Sequence, residues 1–234
     1  AARAQNALVI PHHSANRRMG CDWSLGHDPK VERLIEIYSL WGSSEMPDDQ
    51  GNTRPIRANN GEKPGQHVRD ALRRGYRCGL IGSGDIHDGR PGDCLHRFHD
   101  TPPTWPLHYD QGIVGIWTPQ LTRETLFDAL WNRRCYATTG VRILLKFTVD
   151  GHPMGSEIPF PRGPLALRTE TAAATPVADI TLVRNGEERR THPVGRRHTE
   201  WTIEETPPAP GSWYYVRVTL EDGNMAWSSP AWVG

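Results

Sequence analysis

Apolar residues come in short solid blocks through the first part of the chain and in alternation through the last. Ala7-Leu8-Val9-Ile10, ending at Pro11, predicts a buried strand that delivers Pro11-His12-His13-Ser14. Leu34-Ile35-Glu36-Ile37-Tyr38 predicts a second strand, followed by the loop Trp41-Gly42-Ser43-Ser44-Glu45. The polar stretch 47–64 is a long excursion of the kind that carries function. Val68, Ala71 and Leu72 recur at helical spacing between Gln66 and Arg74, with Gly75 as the stop. Cys78-Gly79-Leu80-Ile81-Gly82 predicts a strand leading into Ser83-Gly84-Asp85-Ile86-His87, and 91–111 is loop by composition. Ile113-Val114-Gly115-Ile116-Trp117 is a further strand, and Thr122 caps a helix with Leu126, Phe127, Ala129 and Leu130 on one face.

Strands alternating with helices predict a parallel α/β sheet or barrel up to about residue 135. The period then changes to two, with Ile143, Leu145, Phe147 and Val149, then Leu165 and Leu167, Ile180 and Leu182, and Tyr214 to Leu220. Asp150-Gly151, Asn185-Gly186 and Asp222-Gly223 are turn signals, the last two strong hairpin signals. The expected organisation is an α/β portion over 1–143 and a small antiparallel, β-sandwich-like domain over 144–234.

Composition narrows the function classes. In 234 residues, 27 basic and 27 acidic side chains give zero formal charge, so net charge points to no nucleic-acid partner. No apolar run is long enough to span a membrane. Hydrophobic residues at 36% support a packed core, while 23 Gly and 20 Pro predict many loops. The four cysteines have no CxxC spacing and leave the compartment open, and Cys135, with no histidine near it in sequence, reads as packing.

The polar residues at the strand ends carry the candidate chemistry, because parallel α/β folds assemble sites at the C-terminal ends of strands. Asp85 and His87, two apart in extended chain, point the same way. Imidazole and carboxylate form a normal shell for Zn, Mn or Fe and acidify a bound water; the same pair also fits a hydrogen-bonded dyad or general base. His12 and His13 are further ligands or polar surface. Glu36, an acid between two isoleucines, is either buried with a partner or faces solvent. Glu45 is an outer ligand or a loop anchor. His96 and His99 with Asp93 and Asp100 form a rival cluster, Thr138-Thr139-Gly140 is a phosphate contact or a turn, and Trp41 and Trp117 wall a pocket or pack a core.

Taken in order, the segments 9–14, 35–45, 80–92, 121–140 and 213–230 resemble the DUF3604 branch of the PHP (polymerase and histidinol phosphatase) superfamily, over nearly the whole chain. The resemblance implies the C-terminal portion of a distorted β/α barrel followed by a small antiparallel β-sandwich-like domain. It also implies divalent ions used for phosphoester hydrolysis. By position, Asp85 and His87 match the late Asp-x-His ligand pair, His12 matches the histidine after a middle strand with His13 as its alternative, and Glu36 falls in the glutamate-bearing strand. The early His-x-His motif has no counterpart before Ala7, so an N-terminal segment or another chain is expected to complete the site. The leading expectation is therefore a metal-dependent hydrolase of a small phosphorylated substrate, using a metal-activated water. A metal-dependent hydrolase of another ester or an amide, and a non-catalytic binding module on a partial barrel, are the alternatives.

Overall fold

The computed structural model describes residues 2–87, 109–205 and 209–234. In chain order the strands are β1 (Leu34–Ser39), β2 (Gly42–Ser43), β3 (Gly79–Gly82), β4 (Ile113–Ile116), β5 (Cys135–Thr138), β6 (Ile143–Val149), β7 (His152–Pro153), β8 (Glu157–Ile158), β9 (Leu165–Arg184), β10 (Glu187–Glu205), β11 (Ser212–Leu220), β12 (Met225–Ser228) and β13 (Ala231–Val233). Among the described residues two α-helices, α1 (Val68–Arg73) and α2 (Arg123–Trp131), lie between β2 and β3 and between β4 and β5.

The α/β portion is built on a β1–α1–β3 crossover, with β1 and β3 parallel and β2 antiparallel on the other side of β1. Every residue of β1 is buried, as a strand covered on both faces must be. Ile35, Ile37, Val68, Ala71 and Leu72 join one core with Trp213, Tyr215, Met225 and Trp227 from the far end of the chain. Residues 7–10 differ from expectation and form no sheet strand. Val9 is exposed, while Leu8 and Ile10 pack against Leu34, Ile81 and Cys135, and Val9 N–H donates to Val31 O (2.9 Å) and Glu36 N–H to Pro11 O (3.0 Å).

The antiparallel portion follows, in a sheet of ten strands. Its spine is the β9/β10 hairpin, turned at Asn185 and Gly186 with both residues at positive φ (54° and 83°), the geometry of a two-residue hairpin turn. Two separate strands are expected at 165–167 and 180–182; the chain makes one strand of 20 residues instead. Its first limb pairs with β6 and its second with β11. Register shifts in β10 around Arg196 accompany the change of partner, as bulges bend and twist a strand pair. The limbs enclose one core, Leu145, Phe147 and Leu167 facing Ile180, Leu182 and Val216.

The two portions interlock across residue 143. β5 pairs with β4 and with β12, so strands from before and after that position share a sheet. Ser229 closes the seam to β3: its Oγ accepts from Leu80 N–H (2.9 Å) and donates to Cys135 O (2.6 Å). Gly82 sits where β3 comes closest to its neighbours. A Cβ there would lie 2.6 Å from Ile113 O and 2.9 Å from Thr138 O, both backbone atoms. Gly82→Ala is therefore expected to lower stability by roughly 1–3 kcal/mol, read as a lower urea midpoint at unchanged slope.

Candidate metal centre

Two polar loops meet over the end of β1. The first follows Pro11 and turns tightly, Asn16 N–H donating to His13 O (2.9 Å) and Ala15 N–H to Ser44 Oγ (3.3 Å). The second leaves β3, where Ser83 N–H continues the pairing to Tyr38 O (3.0 Å). Glu36 joins them from below: its Oε1 accepts His13 N–H (2.8 Å), and its Oε2 accepts a short hydrogen bond from Ser83 Oγ. A carboxylate in the middle of an apolar strand is thus explained by two donors delivered to it. Burial nonetheless pushes its pKa above the usual carboxylate range.

His12, His13 and Asp85 converge, each offering one ligand atom within 4.8 Å of the others. Asp85 Oδ2 lies 3.6 Å from His12 Nδ1 and 3.8 Å from His13 Nε2. Neither separation is a hydrogen bond. Ligands about 2.0–2.2 Å from a shared tetrahedral ion stand roughly 3.4 Å apart, so the spacing suits coordination better than direct pairing.

Two further observations fit a cation. Asp85 Oδ2 is buried with no hydrogen-bond partner among the described residues, an arrangement that costs free energy unless something else binds there. His13 and Asp85 also hold positive φ, 32° at His13 and 50° at Asp85, conformations that cluster at functional sites. Burial first, and the adjacent His12 second, push the His13 imidazole below the ordinary histidine range, which leaves it neutral and able to ligate at pH 7. Two imidazoles and a carboxylate are a donor set for Zn, Mn or Fe.

His87 stands at the rim. Its side chain is 74% exposed, and its Nε2 is 3.3 Å from Asp85 Oδ1, the oxygen turned away from the two histidines' contact. Trp41 is buried and sets the edge of its indole against His13, with ring centroids 6.0 Å apart.

Glu45 lies in a different cluster. Its carboxylate accepts from Arg69 Nη2 (2.8 Å), Tyr215 Oη (2.6 Å), Trp227 Nε1 (2.8 Å) and Arg217 Nη1 (3.2 Å to each oxygen), which is the loop-anchor reading of this residue. Thr139 is likewise taken up by structure, its Oγ1 donating to Asn224 Oδ1 (2.8 Å) and accepting from Met225 N–H (2.9 Å). Cys135 is fully buried, as packing requires. The rival cluster of Asp93, His96, His99 and Asp100 lies outside the described residues. Ser83 is the contributor not foreseen from sequence. Nothing local marks this serine as the partner of a glutamate 47 positions earlier.

The model of a family described as a protein of unknown function, DUF3604, matches residues 100–154. Over 97% of its length the chain is similar to proteins of Chlamydia trachomatis serovar D (34% identical) and Chlamydia muridarum (32% identical), each described as an uncharacterized protein, and it spans 38% of the length of both. Among solved structures it is similar to the fibronectin(III)-like modules of Clostridium thermocellum CbhA, at 18% identity and a TM-score of 0.29, over 37% of this chain and 93% of that one.

Proposed function

We propose that the chain carries part of the centre of a divalent-metal-dependent hydrolase acting on phosphoesters, with residues 1–143 holding the ligands and 144–234 forming the buttress behind them. The observation that carries this reading is the convergence of His12, His13 and the unpaired Asp85 Oδ2 on one point. Preference for phosphorus as the electrophile rests on the resemblance of the ordered motifs to the PHP superfamily.

Asp85, His12 and His13 would hold the ion, and two imidazoles with a carboxylate suit Zn, Mn or Fe. A divalent ion bound there supplies Lewis-acid polarisation of the ester and lowers the pKa of a coordinated water. Asp85 fixes the charge of the site through Oδ2 and orients His87 through Oδ1. His87, exposed at the rim, is placed to pass a proton to the departing oxygen. Glu36 sets the position of His13 through the backbone and of the Asp85 loop through Ser83. Because the chain spans 38% of the relatives it matches, further ligands from a longer protein or another chain belong to the same proposal.

The test is hydrolysis of p-nitrophenyl phosphate and p-nitrophenyl acetate by the chain stripped with chelator and reconstituted with Mn2+ or Zn2+. Phosphatase activity that disappears on chelation and returns with the ion is expected. Activity on the acetate alone would move the assignment to a carboxylic ester. Stoichiometric metal uptake without turnover of either compound would leave a metal-binding module and end the hydrolase reading for this chain.

A further inference from the structure

His67 is only 1% exposed at the start of α1, and neither of its ring nitrogens has a hydrogen-bond partner among the described residues. Both face carboxylates. Nε2 lies 3.5 Å from Glu62 Oε2, and Nδ1 lies 3.6 Å from Asp70 Oδ2. A neutral imidazole has one N–H and would turn a bare lone pair on one of these oxygens, whereas an imidazolium suits both. Asp70 has a second cation in Arg73 Nη1 (3.5 Å), while Glu62 forms no other ion pair among the described residues. The turn at Trp23 adds a neutral contact, its Nε1–H donating to His67 O (3.1 Å).

Glu62 is also where the polar excursion after β2 is gathered. Its Oε2 accepts Asp48 N–H (3.1 Å), and its Oε1 accepts Ile56 N–H (3.3 Å) and Asn52 Nδ2 (3.5 Å). One carboxylate thus holds the strap 46–62 at widely separated places, and His67 holds that carboxylate. The strap supplies one wall of a cavity of about 320 Å³, through Met46, Gly51, Asn52 and Thr53.

We propose that His67 is a pH-operated latch for this strap. As imidazolium it fixes Glu62, and through it the segment 46–62, against the start of α1. Loss of the proton leaves Glu62 without a counter-charge and loosens the strap, and with it that wall of the cavity. Burial, the largest influence, pulls the pKa of His67 down, but Asp70 and Glu62 together carry it above the ordinary histidine value. A histidine raised in the folded state stabilises fully below its unfolded pKa of about 6.5, and that stabilisation is lost as pH rises through the folded value. The strap is therefore held at pH 6 and released in alkali. The latch needs no metal and stands apart from the hydrolase reading.

Amide hydrogen exchange read by mass spectrometry at pH 6 and pH 9, corrected for intrinsic rates, tests it. In the unsubstituted chain, protection of peptides from 46–62 should fall roughly tenfold or more between the two, since contacts to charged groups are the stronger ones. Peptides of β9 and β11 should change little over the same interval. His67→Gln, polar but uncharged, should show weak protection of the strap at both pH values, and Glu62→Gln should do the same with the imidazole in place. Equal protection of 46–62 at pH 6 and pH 9 in the unsubstituted chain, or a fall shared equally by β9 and β11, would overturn the proposal whatever the variants do. So would a pH-dependent fall that survives in Glu62→Gln.

Discussion

Asp85→Asn should remove tight binding of Zn2+ or Co2+ while leaving the fold intact. Asparagine has nearly the shape of aspartate and tolerates the positive φ of 50° that this position holds, so the backbone has no reason to move. What changes is the donor: an amide oxygen replaces the carboxylate that faces both imidazoles at 3.6 and 3.8 Å. Loss of an outer hydrogen-bond partner alone costs a metal site about 10–100-fold in affinity, and loss of a charged ligand should exceed that range. Glu36→Gln supplies the contrast. It keeps an amide oxygen to accept His13 N–H, while its NH2 donates to Ser83 Oγ, whose hydroxyl turns round to accept, so its effect should fall inside the 10–100-fold range. Competition against a chromophoric chelator gives the affinities, and the visible spectrum of the Co2+ form reports the ligand set. An Asp85→Asn chain that binds Co2+ as tightly as the original, with the same spectrum, would remove Asp85 from the site.

The residues of this centre were legible in the sequence because each sits at the end of an apolar block, and strand ends bring such positions together. Asp85 follows that rule beyond the end of β3, whereas His12 and His13 follow residues that form no strand and reach the centre through the loop after Pro11. Their unequal roles were not legible, because they depend on the third dimension: His13 is buried under Trp41 and His87 is exposed. The turns at Asp150-Gly151, Asn185-Gly186 and Asp222-Gly223 could be read directly, since a positive φ demands those residue types. The length of β9 could not. Its middle, Ala172-Ala173-Ala174-Thr175-Pro176, breaks the apolar alternation where the strand changes partner, so one strand presents the pattern of two. Residues 7–10 failed for the opposite reason. They have a strand's composition, but they pack side chains on Leu34, Ile81 and Cys135 without a backbone ladder to any strand.

Glu45 is the position where sequence and structure diverge most in consequence, and its replacement should give the largest loss of stability. Its partners are 24, 170, 172 and 182 residues away, beyond the reach of any local pattern. They join α1 to β11 and β12, so this carboxylate ties the two portions of the chain. Glu45→Gln would leave the buried Arg69 and Arg217 guanidiniums without their central counter-charge, and breaking a buried pair in this way costs about 3–5 kcal/mol. In a chain of this size that corresponds to roughly 10 °C in Tm. Burial alone would raise the pKa of Glu45, but Arg217 and Arg69 together with the Tyr215 and Trp227 donors hold it down at about 2. A carboxyl depressed in the folded state stabilises fully above its unfolded pKa of about 4.3, and that stabilisation, about 3 kcal/mol here, is lost as pH falls toward 2. Urea unfolding at pH 7 and pH 3 should therefore show the unsubstituted chain losing stability steeply with acid and Glu45→Gln losing less over the same interval. A variant within 1 kcal/mol of the original at pH 7, or one with the same acid dependence, would show that the network is not the tie. The consequence reaches the metal ligands, because the neighbouring Ser44 Oγ holds Ala15 N–H two residues beyond His13. Loosening Glu45 should thus weaken Co2+ binding as well as the fold, at a position that touches no ion.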